Sequence, residues 1–277
     1  MMERGRPTVG EARIPALGLG TWDLRGEACA AIVSEALRLG YRHVDTAQGY
    51  ENEKAVGEGL RASGVRREDV FVTTKVRPEL SSQGTLQRSA EESLRRLGLN
   101  EVDLLLIHWP NPAIAIAEAV TALSDAKRKG LARHIGVSNF TIAALDEAVR
   151  NSPEPIVTNQ VEYHPYLDQR RLLAAIRGHG MVITAYCPIA LGKVVGDPVI
   201  GAVARAHDRT EAQVTLRWLI QQGDVVALPR TSKVARLAEN LSVFDFVLST
   251  EEMEQMSDLT RPGAKLINQP GWVPVWD

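Results

Sequence analysis

The sequence is poor in cysteine and in aromatic residues, and it contains no long apolar run. Cys29 and Cys187 are the only cysteines among 277 residues, and neither lies in a CxxC or Cys/His zinc spacing. This argues against a disulfide framework and a zinc site, and we interpret both residues as reduced thiols of a cytoplasmic protein. No apolar run approaches the length of a membrane span, and the charged N-terminus lacks the apolar segment of a signal peptide.

The charges are almost balanced, with 32 Lys and Arg against 34 Asp and Glu, a formal net charge of -2. A nucleic-acid-binding surface usually carries a clustered basic excess, so we do not expect a nucleic-acid partner. Since no apolar run is long enough to span a membrane, we do not expect a membrane partner either. At 44% hydrophobic and 24% charged residues, the composition is that of an ordinary globular protein. The length suits one large domain or two small ones.

Strand and helix signals alternate along the chain. Apolar runs suited to buried strands lie at 17–20, 42–45, 70–75, 103–108, 134–138, 156–161, 182–187 and 225–229. Helices are predicted at about 27–39, 52–62, 84–97, 114–129, 141–149, 168–178, 197–207, 210–221, 233–239 and 250–258. Gly40, Gly98 and Gly130 stand where helices commonly end, and Asn52 and either Ser249 or Thr250 stand where helices begin.

Buried strands that alternate with helices indicate a parallel sheet covered by helices, and eight such units fit a closed (β/α)8 TIM barrel of the α/β class. We expect a single barrel domain over residues 1–277, with a short hairpin at 7–15 and a C-terminal tail over the active-site face. An open doubly wound sheet is the alternative. It would need a glycine-rich phosphate loop after the first strand, and the segment from Gly18 to Asp23 lacks the third glycine.

Ionisable residues end three consecutive predicted strands. Asp45, Lys75 and His108 fall at the carboxyl ends of strands two, three and four, and Tyr50 lies on the loop after strand two. In a barrel these ends gather at the face that carries the active site. Each residue also has an ordinary structural explanation, such as a loop cap, a packed ring, a solvent-directed lysine or a rim histidine. Their joint placement favours an active site.

This combination has a chemical logic. A tyrosine hydroxyl has an ordinary pKa of about 10, and a nearby ammonium such as Lys75 lowers that pKa. Asp45 would keep Lys75 charged, and His108 can donate a hydrogen bond to a substrate oxygen. Together they provide a proton donor for a developing alkoxide, which suits carbonyl reduction by hydride transfer. No HxxxH or carboxylate-paired histidine spacing indicates a metal site.

Several long motifs make the sequence recognisable. They run from Gly40 to Ala47, from Tyr50 to Glu53, from Asp103 to Pro110 and from Ile135 to Phe140. With these motifs in order, the chain resembles the aldo-keto reductase family, in particular its bacterial branch that includes 2,5-diketogluconate reductases. The resemblance implies a (β/α)8 barrel, NADP(H) bound without a Rossmann fold, and Tyr50 as general acid. Asp45 and Lys75 would then tune Tyr50, and His108 would position the carbonyl.

The resemblance also implies a set of cofactor contacts. Ser138, Asn139 and Gln160 match the positions that bond the nicotinamide carboxamide, and Tyr186 matches the aromatic residue on which the ring stacks. The adenosine 2′-phosphate site matches Arg230, Thr231, Ser232 and Arg236, with Glu239 and Asn240 beside the adenine. We also assign to the cofactor site Thr21, Trp22, Asp45 and Pro188. The residues themselves agree, because cations and hydroxyls at 230–233 precede a helix whose N-terminus attracts anions.

The segments at 111–116 and 190–196 are short, which predicts an open and permissive pocket. We expect a small carbonyl substrate, a monomer, and a pocket lined by Trp22, Tyr50, His108, Trp109 and Trp272. Two rival functions stay open: a cofactor-binding subunit with a redox-sensing or regulatory role, and a phosphate-sugar isomerase on the same fold, which would need no nicotinamide.

Overall fold

A short hairpin precedes the main sheet. The computed structural model describes residues 8–269 and 271–276, and in it β1 (Thr8–Val9) pairs antiparallel with β2 (Ile14–Pro15). The predicted hairpin is therefore observed from Thr8 onward, while Pro7 lies outside the described residues.

Eight parallel strands form the central sheet of the described chain, each paired with its neighbours in sequence. They are β3 (Leu19–Gly20), β4 (His43–Asp45), β5 (Phe71–Val76), β6 (Val102–Ile107), β7 (Ala132–Ser138), β8 (Ile156–Glu162), β9 (Val182–Tyr186) and β10 (Val225–Leu228). The two outer strands meet through parallel bridges from Leu17 to Ala227 and from Gly20 to Arg230. The sheet closes on itself, so the (β/α)8 barrel is confirmed and the open doubly wound sheet is ruled out.

Ten α-helices cover the barrel in the part of the chain that the structure describes. They are α1 (Gly26–Leu39), α2 (Glu53–Ala62), α3 (Thr85–Leu97), α4 (Ile116–Arg128), α5 (Ile142–Asn151), α6 (Arg170–Gly178), α7 (Pro198–Ala206), α8 (Glu211–Gln221), α9 (Val234–Leu241) and α10 (Thr250–Ser257). Every predicted helix and strand boundary lies within two residues of the observed one. Among residues 8–269 and 271–276, no helix has the length and apolarity that crossing a membrane would require.

The helix ends follow the predicted chemistry with one exception. Gly40 and Gly98 end α1 and α3 in the left-handed region, with φ of 107° and 68°. Ser249 caps α10 in a capping box with Glu252. Asn52 occupies the N-cap position of α2, but the predicted side-chain cap is wrong, because its amide donates instead to the carbonyls of Thr21 and Leu24.

Close packing at the seam explains the glycines of the first barrel segment. A Cβ on Gly18 would lie 2.6 Å from the side chain of Leu228 and 2.7 Å from Nδ1 of His43. Both neighbours are buried, so a side chain at position 18 would have to displace packed groups. The backbones of the first and last barrel segments can therefore approach closely enough for the Gly18 amide to donate to the Ala227 carbonyl at 2.9 Å.

Candidate active site

The four ionisable residues meet at the carboxyl end of the barrel. Asp45 ends β4, Lys75 lies near the end of β5, and His108 directly follows β6. Tyr50 sits in the 3-10 turn Gln48–Tyr50 that follows β4. Lys75 has 0% exposure and Asp45 has 3%, so the charged pair is withdrawn from water.

The Lys75 ammonium organises the cluster. Its Nζ donates to Asp45 Oδ1 at 2.6 Å, to the Thr46 carbonyl at 2.8 Å and to Tyr50 Oη at 3.3 Å. An ammonium has three protons, and these three acceptors use all of them. The His108 ring meets the Tyr50 ring edge-on, with centroids 5.6 Å apart. The Tyr50 side chain therefore contacts both a fixed cation and an imidazole ring.

Burial decides the protonation states in this cluster. Burial raises the pKa of Tyr50 above its ordinary value, and the neighbouring Lys75 ammonium only partly offsets that rise. The predicted net lowering of the Tyr50 pKa is therefore wrong: desolvation outweighs the cation. Burial lowers the pKa of Lys75, but Asp45 and Tyr50 outweigh it and the net shift is upward. Burial lowers the pKa of His108 to about 3, so this imidazole is neutral at neutral pH.

The side chain of Gln48, the first residue of the turn that carries Tyr50, anchors this turn to α3 and to Arg77. The Gln48 amide donates to the Ser89 hydroxyl at 2.6 Å and to the Ser93 hydroxyl at 2.9 Å, both on α3. The side-chain oxygen Oε1 of Gln48 accepts a hydrogen bond from the Arg77 backbone N–H at 3.0 Å. Sequence reasoning missed this residue because a glutamine in a loop carries no chemical signal of its own.

A second polar group lies against the cluster. The Gln160 amide donates to Asp45 Oδ2 at 2.8 Å, and the Ser138 hydroxyl donates to the Gln160 carbonyl at 2.8 Å. Asn139 takes a left-handed backbone conformation with φ of 63°, and its amide donates to the His108 carbonyl at 3.0 Å. The Tyr186 hydroxyl donates to Asn139 Oδ1 at 2.8 Å. The structure thus brings the predicted carboxamide-binding residues together beside Asp45.

Two other predicted cofactor residues lie near this group. The backbone N–H and the hydroxyl of Thr21 both donate to the Asp45 carbonyl, at 3.0 and 2.9 Å, which ties the loop after β3 to β4. Pro188 is buried just beyond the end of β9. Polar groups beside a tyrosine ring fit the nicotinamide that the resemblance implies.

The predicted phosphate-binding residues lie at the start of α9. Arg230, Ser232 and Arg236 are exposed there. Among the described residues, the N-cap residue Lys233 makes no side-chain hydrogen bond to the first turn of α9, and the free N–H groups at a helix start attract anions. Exposed cations, a hydroxyl and an uncapped helix start fit a phosphate group.

Several residues of that region already have protein partners. The Arg230 guanidinium donates to the Trp22 carbonyl at 3.2 Å and meets the Asp23 carboxylate at 3.3 Å. The buried Thr231 hydroxyl accepts the Lys233 N–H at 3.0 Å, which makes it a local turn residue. The Glu239 carboxylate accepts the Thr210 hydroxyl at 2.7 Å, and Asn240 is 7% exposed.

The predicted substrate-lining tryptophans differ in exposure. Trp22 is 56% exposed, whereas Trp109 is only 4% exposed and belongs to the protein interior. Trp272 is half-buried, and its backbone N–H donates to the Gln269 backbone carbonyl at 3.1 Å. The structure therefore favours Trp22 over Trp109 as an open wall.

Sequence reasoning also missed a buried carboxylate at the end of β8. Glu162 has 0% exposure and is paired with His164, which is equally buried. The signal was available, since an ionisable residue at the end of an apolar run is the pattern that singled out Asp45. Among residues 8–269 and 271–276, no group of three or more His, Cys, Asp or Glu side chains could hold a metal ion.

Comparison with known proteins identifies the family. The family model described as Aldo/keto reductase family matches residues 16–261. The methylglyoxal reductase DkgB of Salmonella typhimurium is 42% identical over 267 residues, which cover 95% of this chain and 99% of that protein.

Solved structures agree. A crystal structure provisionally named 2,5-diketo-D-gluconic acid reductase B is 47% identical, with a TM-score of 0.96 and 98% of both chains covered. A mutant of Gox0644 in complex with NADPH is 37% identical, with a TM-score of 0.86 and 92% of this chain and 93% of that one covered. This chain therefore belongs to the Aldo/keto reductase family.

Proposed function

We propose that this chain is an NADPH-dependent reductase that converts small aldehydes and ketones, keto-sugars among them, to alcohols. The observation that carries the proposal is the buried Lys75–Asp45 pair with the Tyr50 hydroxyl 3.3 Å from Lys75 Nζ, at the mouth of the barrel. Family membership and the named reductase relatives support the reaction class.

In this proposal Tyr50 Oη gives its proton to the substrate oxygen. The raised pKa of Tyr50, caused by burial, keeps the hydroxyl protonated at neutral pH and ready to donate. As the proton leaves, the Lys75 N–H that points at Oη stabilises the phenolate, and Asp45 fixes the charge on Lys75. His108 is neutral and orients the carbonyl oxygen through an N–H group.

NADPH, when bound, supplies the hydride. Ser138, Asn139 and Gln160 would hold its carboxamide end, and Tyr186 would support the ring. Because Gln160 also donates to Asp45, the residues that hold the cofactor and those that tune Tyr50 form one connected network. At the other end, the 2′-phosphate would lie among Arg230, Ser232, Arg236 and the start of α9, with Glu239 and Asn240 beside the adenine.

Substrate breadth follows from the walls of the pocket. The segments at 111–116 and 190–196 are short, so we expect little protein to cover the mouth from those sides. Relatives are named for methylglyoxal and for 2,5-diketo-D-gluconic acid, both small polar dicarbonyl compounds. We expect this chain to accept substrates of that size and polarity. A single domain, a monomer and a cytoplasmic location stay predictions.

A steady-state assay tests the proposal. NADPH consumption should be followed with a panel of small aldehydes, ketones and keto-sugars, with NADH as the alternative donor. Turnover with several carbonyl compounds and a preference for NADPH are expected. NADPH binding without turnover of any of them would instead favour the regulatory cofactor-binding subunit, and turnover of a sugar phosphate without a nicotinamide would favour the isomerase.

A further inference from the structure

Strand β8 ends in a buried carboxylate that contacts the C-terminal segment of the chain. Glu162 Oε1 accepts the Leu266 backbone N–H at 2.7 Å, and Oε2 accepts the Ile267 backbone N–H at 2.9 Å. Lys265 Nζ lies 3.5 Å from the same Oε2. One carboxylate thus contacts three consecutive residues that lie more than 100 positions later in the sequence.

The Glu162 carboxylate is ionised in this setting. Burial raises its pKa, but hydrogen bonds from His164 and from the two backbone amides outweigh burial, and the net shift is downward. His164 Nε2 lies 3.0 Å from Oε1. A charged acceptor makes each N–H bond about twice as strong as a neutral one.

Two further sets of contacts involve the C-terminal segment, one to the barrel and one within the segment itself. The Arg261 backbone N–H donates to the Tyr166 carbonyl at 3.0 Å, and the Arg261 guanidinium lies 4.3 Å from the Tyr166 ring centre. Lys265 Nζ lies 3.9 Å from the ring centre of Trp276. Arg261 therefore contacts the barrel ahead of residues 265–267, whereas the backbone N–H groups of Leu266 and Ile267 both donate to Glu162.

The location of Glu162 links this segment to the candidate active site. Glu162 is the register partner of Tyr186 on β9, and Gln160, two residues earlier on β8, donates to Asp45. The segment and the loop after β9 enclose a cavity of about 100 Å³ lined in part by His164, Tyr166, Lys193 and Leu266. Displacing the segment would therefore open this cavity beside the carboxyl ends of β8 and β9.

We propose that Glu162 is a positioning residue of the substrate site, acting through the docked segment 265–267 rather than by contact with the reacting atoms. The kinetic part of this proposal rests on the reductase function proposed above. The structural part does not, because docking can be measured without any turnover.

Limited trypsin digestion tests the docking. The Lys265–Leu266 peptide bond contains the N–H that Glu162 accepts, and trypsin can cut it only when the segment leaves the barrel. Arg261 precedes Pro262, a bond that trypsin does not cut, so release of residues 266–277 reports this one event. In Glu162→Gln we expect the native-state cleavage rate at Lys265 to rise about tenfold to a hundredfold.

Asp103→Asn is the matched control. Asp103 is also a buried carboxylate that accepts a backbone N–H, from Val72 at 2.8 Å, but it lies near the start of β6 at the other end of the barrel. This variant should lower global stability and leave cleavage at Lys265 unchanged under native conditions. An equal rise in both variants, or no rise in Glu162→Gln, would overturn the proposal.

Ile267→Pro separates positioning from general destabilisation, because proline removes one donor to Glu162 and leaves the carboxylate intact. Glu162→Gln and Ile267→Pro should each raise KM for the carbonyl substrate several-fold at nearly constant kcat. The variant that carries both changes should raise KM little more than either change alone. A released segment with an unchanged KM would overturn the assignment to the substrate site. An inactive wild type would refute the reductase function, while the digestion would still decide the docking.

Discussion

Replacing Lys75 by methionine should be costly, because it leaves a charge buried without its partner. Lys75 and Asp45 have side-chain exposures of 0% and 4%, with Nζ and Oδ1 2.6 Å apart. Methionine keeps the length of the side chain and removes the ammonium, after which Asp45 keeps the Gln160 amide as a donor. Breaking a buried pair in this way costs about 3–5 kcal/mol of unfolding free energy. Reductase activity should fall as well, since the Tyr50 hydroxyl also loses a donor.

The double variant Asp45→Asn, Lys75→Met tests whether the two groups act as a pair. Asparagine at position 45 removes the carboxylate charge that Lys75→Met leaves buried and unpaired. The double variant should therefore lose about 1–3 kcal/mol less than the two single losses added together. Urea unfolding followed by tryptophan fluorescence measures all four proteins, and circular dichroism checks that each is folded. Strict additivity of the unfolding free energies would refute the coupling on which the proposed tuning of Tyr50 depends.

Three further predictions concern the hydroxyl, the phosphate and the barrel interior. Tyr50→Phe should preserve folding and NADPH affinity while carbonyl reduction falls by roughly 10²-fold or more, as steady-state kinetics would measure. Arg236→Ala should raise the NADPH dissociation constant by about one to two decades and leave that of NADH within a few-fold, and salt should weaken the preference. Burial lowers the pKa of His43 from 6.5 to about 4. As the pH is lowered from 6.5 to about 4, the unfolded state therefore binds a proton that the folded state does not, and the free energy of unfolding decreases. His43→Gln should reduce that slope, measured by urea unfolding across pH, by about 1.4 kcal/mol per pH unit.

Each of these predictions has a control. Tyr163→Phe removes a hydroxyl bonded to Gln222, outside the cluster, and should leave turnover unchanged. Near-normal turnover in Tyr50→Phe would exclude that residue as the acid. Arg88→Ala removes an exposed arginine on α3 and should affect neither cofactor, and an equal loss of both cofactors in Arg236→Ala would remove Arg236 from the phosphate site. An unchanged slope in His43→Gln would show that other groups carry the pH dependence.

The sequence was sufficient for the barrel and for the grouping of the four ionisable residues. Both depend on local pattern: apolar runs define the strands, and a polar residue at the end of a run lies at the carboxyl face of a parallel barrel. The close contact of Lys75 with Asp45 follows from β4 and β5 being neighbours. These features needed no knowledge of long-range contacts.

Features that depend on packing could not be read in this way. The net pKa of Tyr50 depends on how deeply the ring is buried, and burial is the sum of contacts from distant segments. Asn52 was predicted to cap its own helix, yet it bonds the carbonyls of Thr21 and Leu24, some thirty positions earlier. Glu162 satisfied the strand-end rule, but its partners Leu266 and Ile267 belong to a segment without periodicity.

The seam between β3 and β10 has a consequence for how the protein forms. It joins the first and last strands of the barrel, and the Arg230–Trp22 bond across it links residues 208 positions apart. Contacts of such long range carry the largest loop-closure entropy and form slowly. On a ribosome, β3 keeps an unpaired edge until β10 has been synthesised. The Gln160–Asp45 bond, between residues 115 positions apart, also joins the two halves of the barrel. Recovery of activity during refolding should therefore follow the step that closes the barrel and lag behind the recovery of helix content.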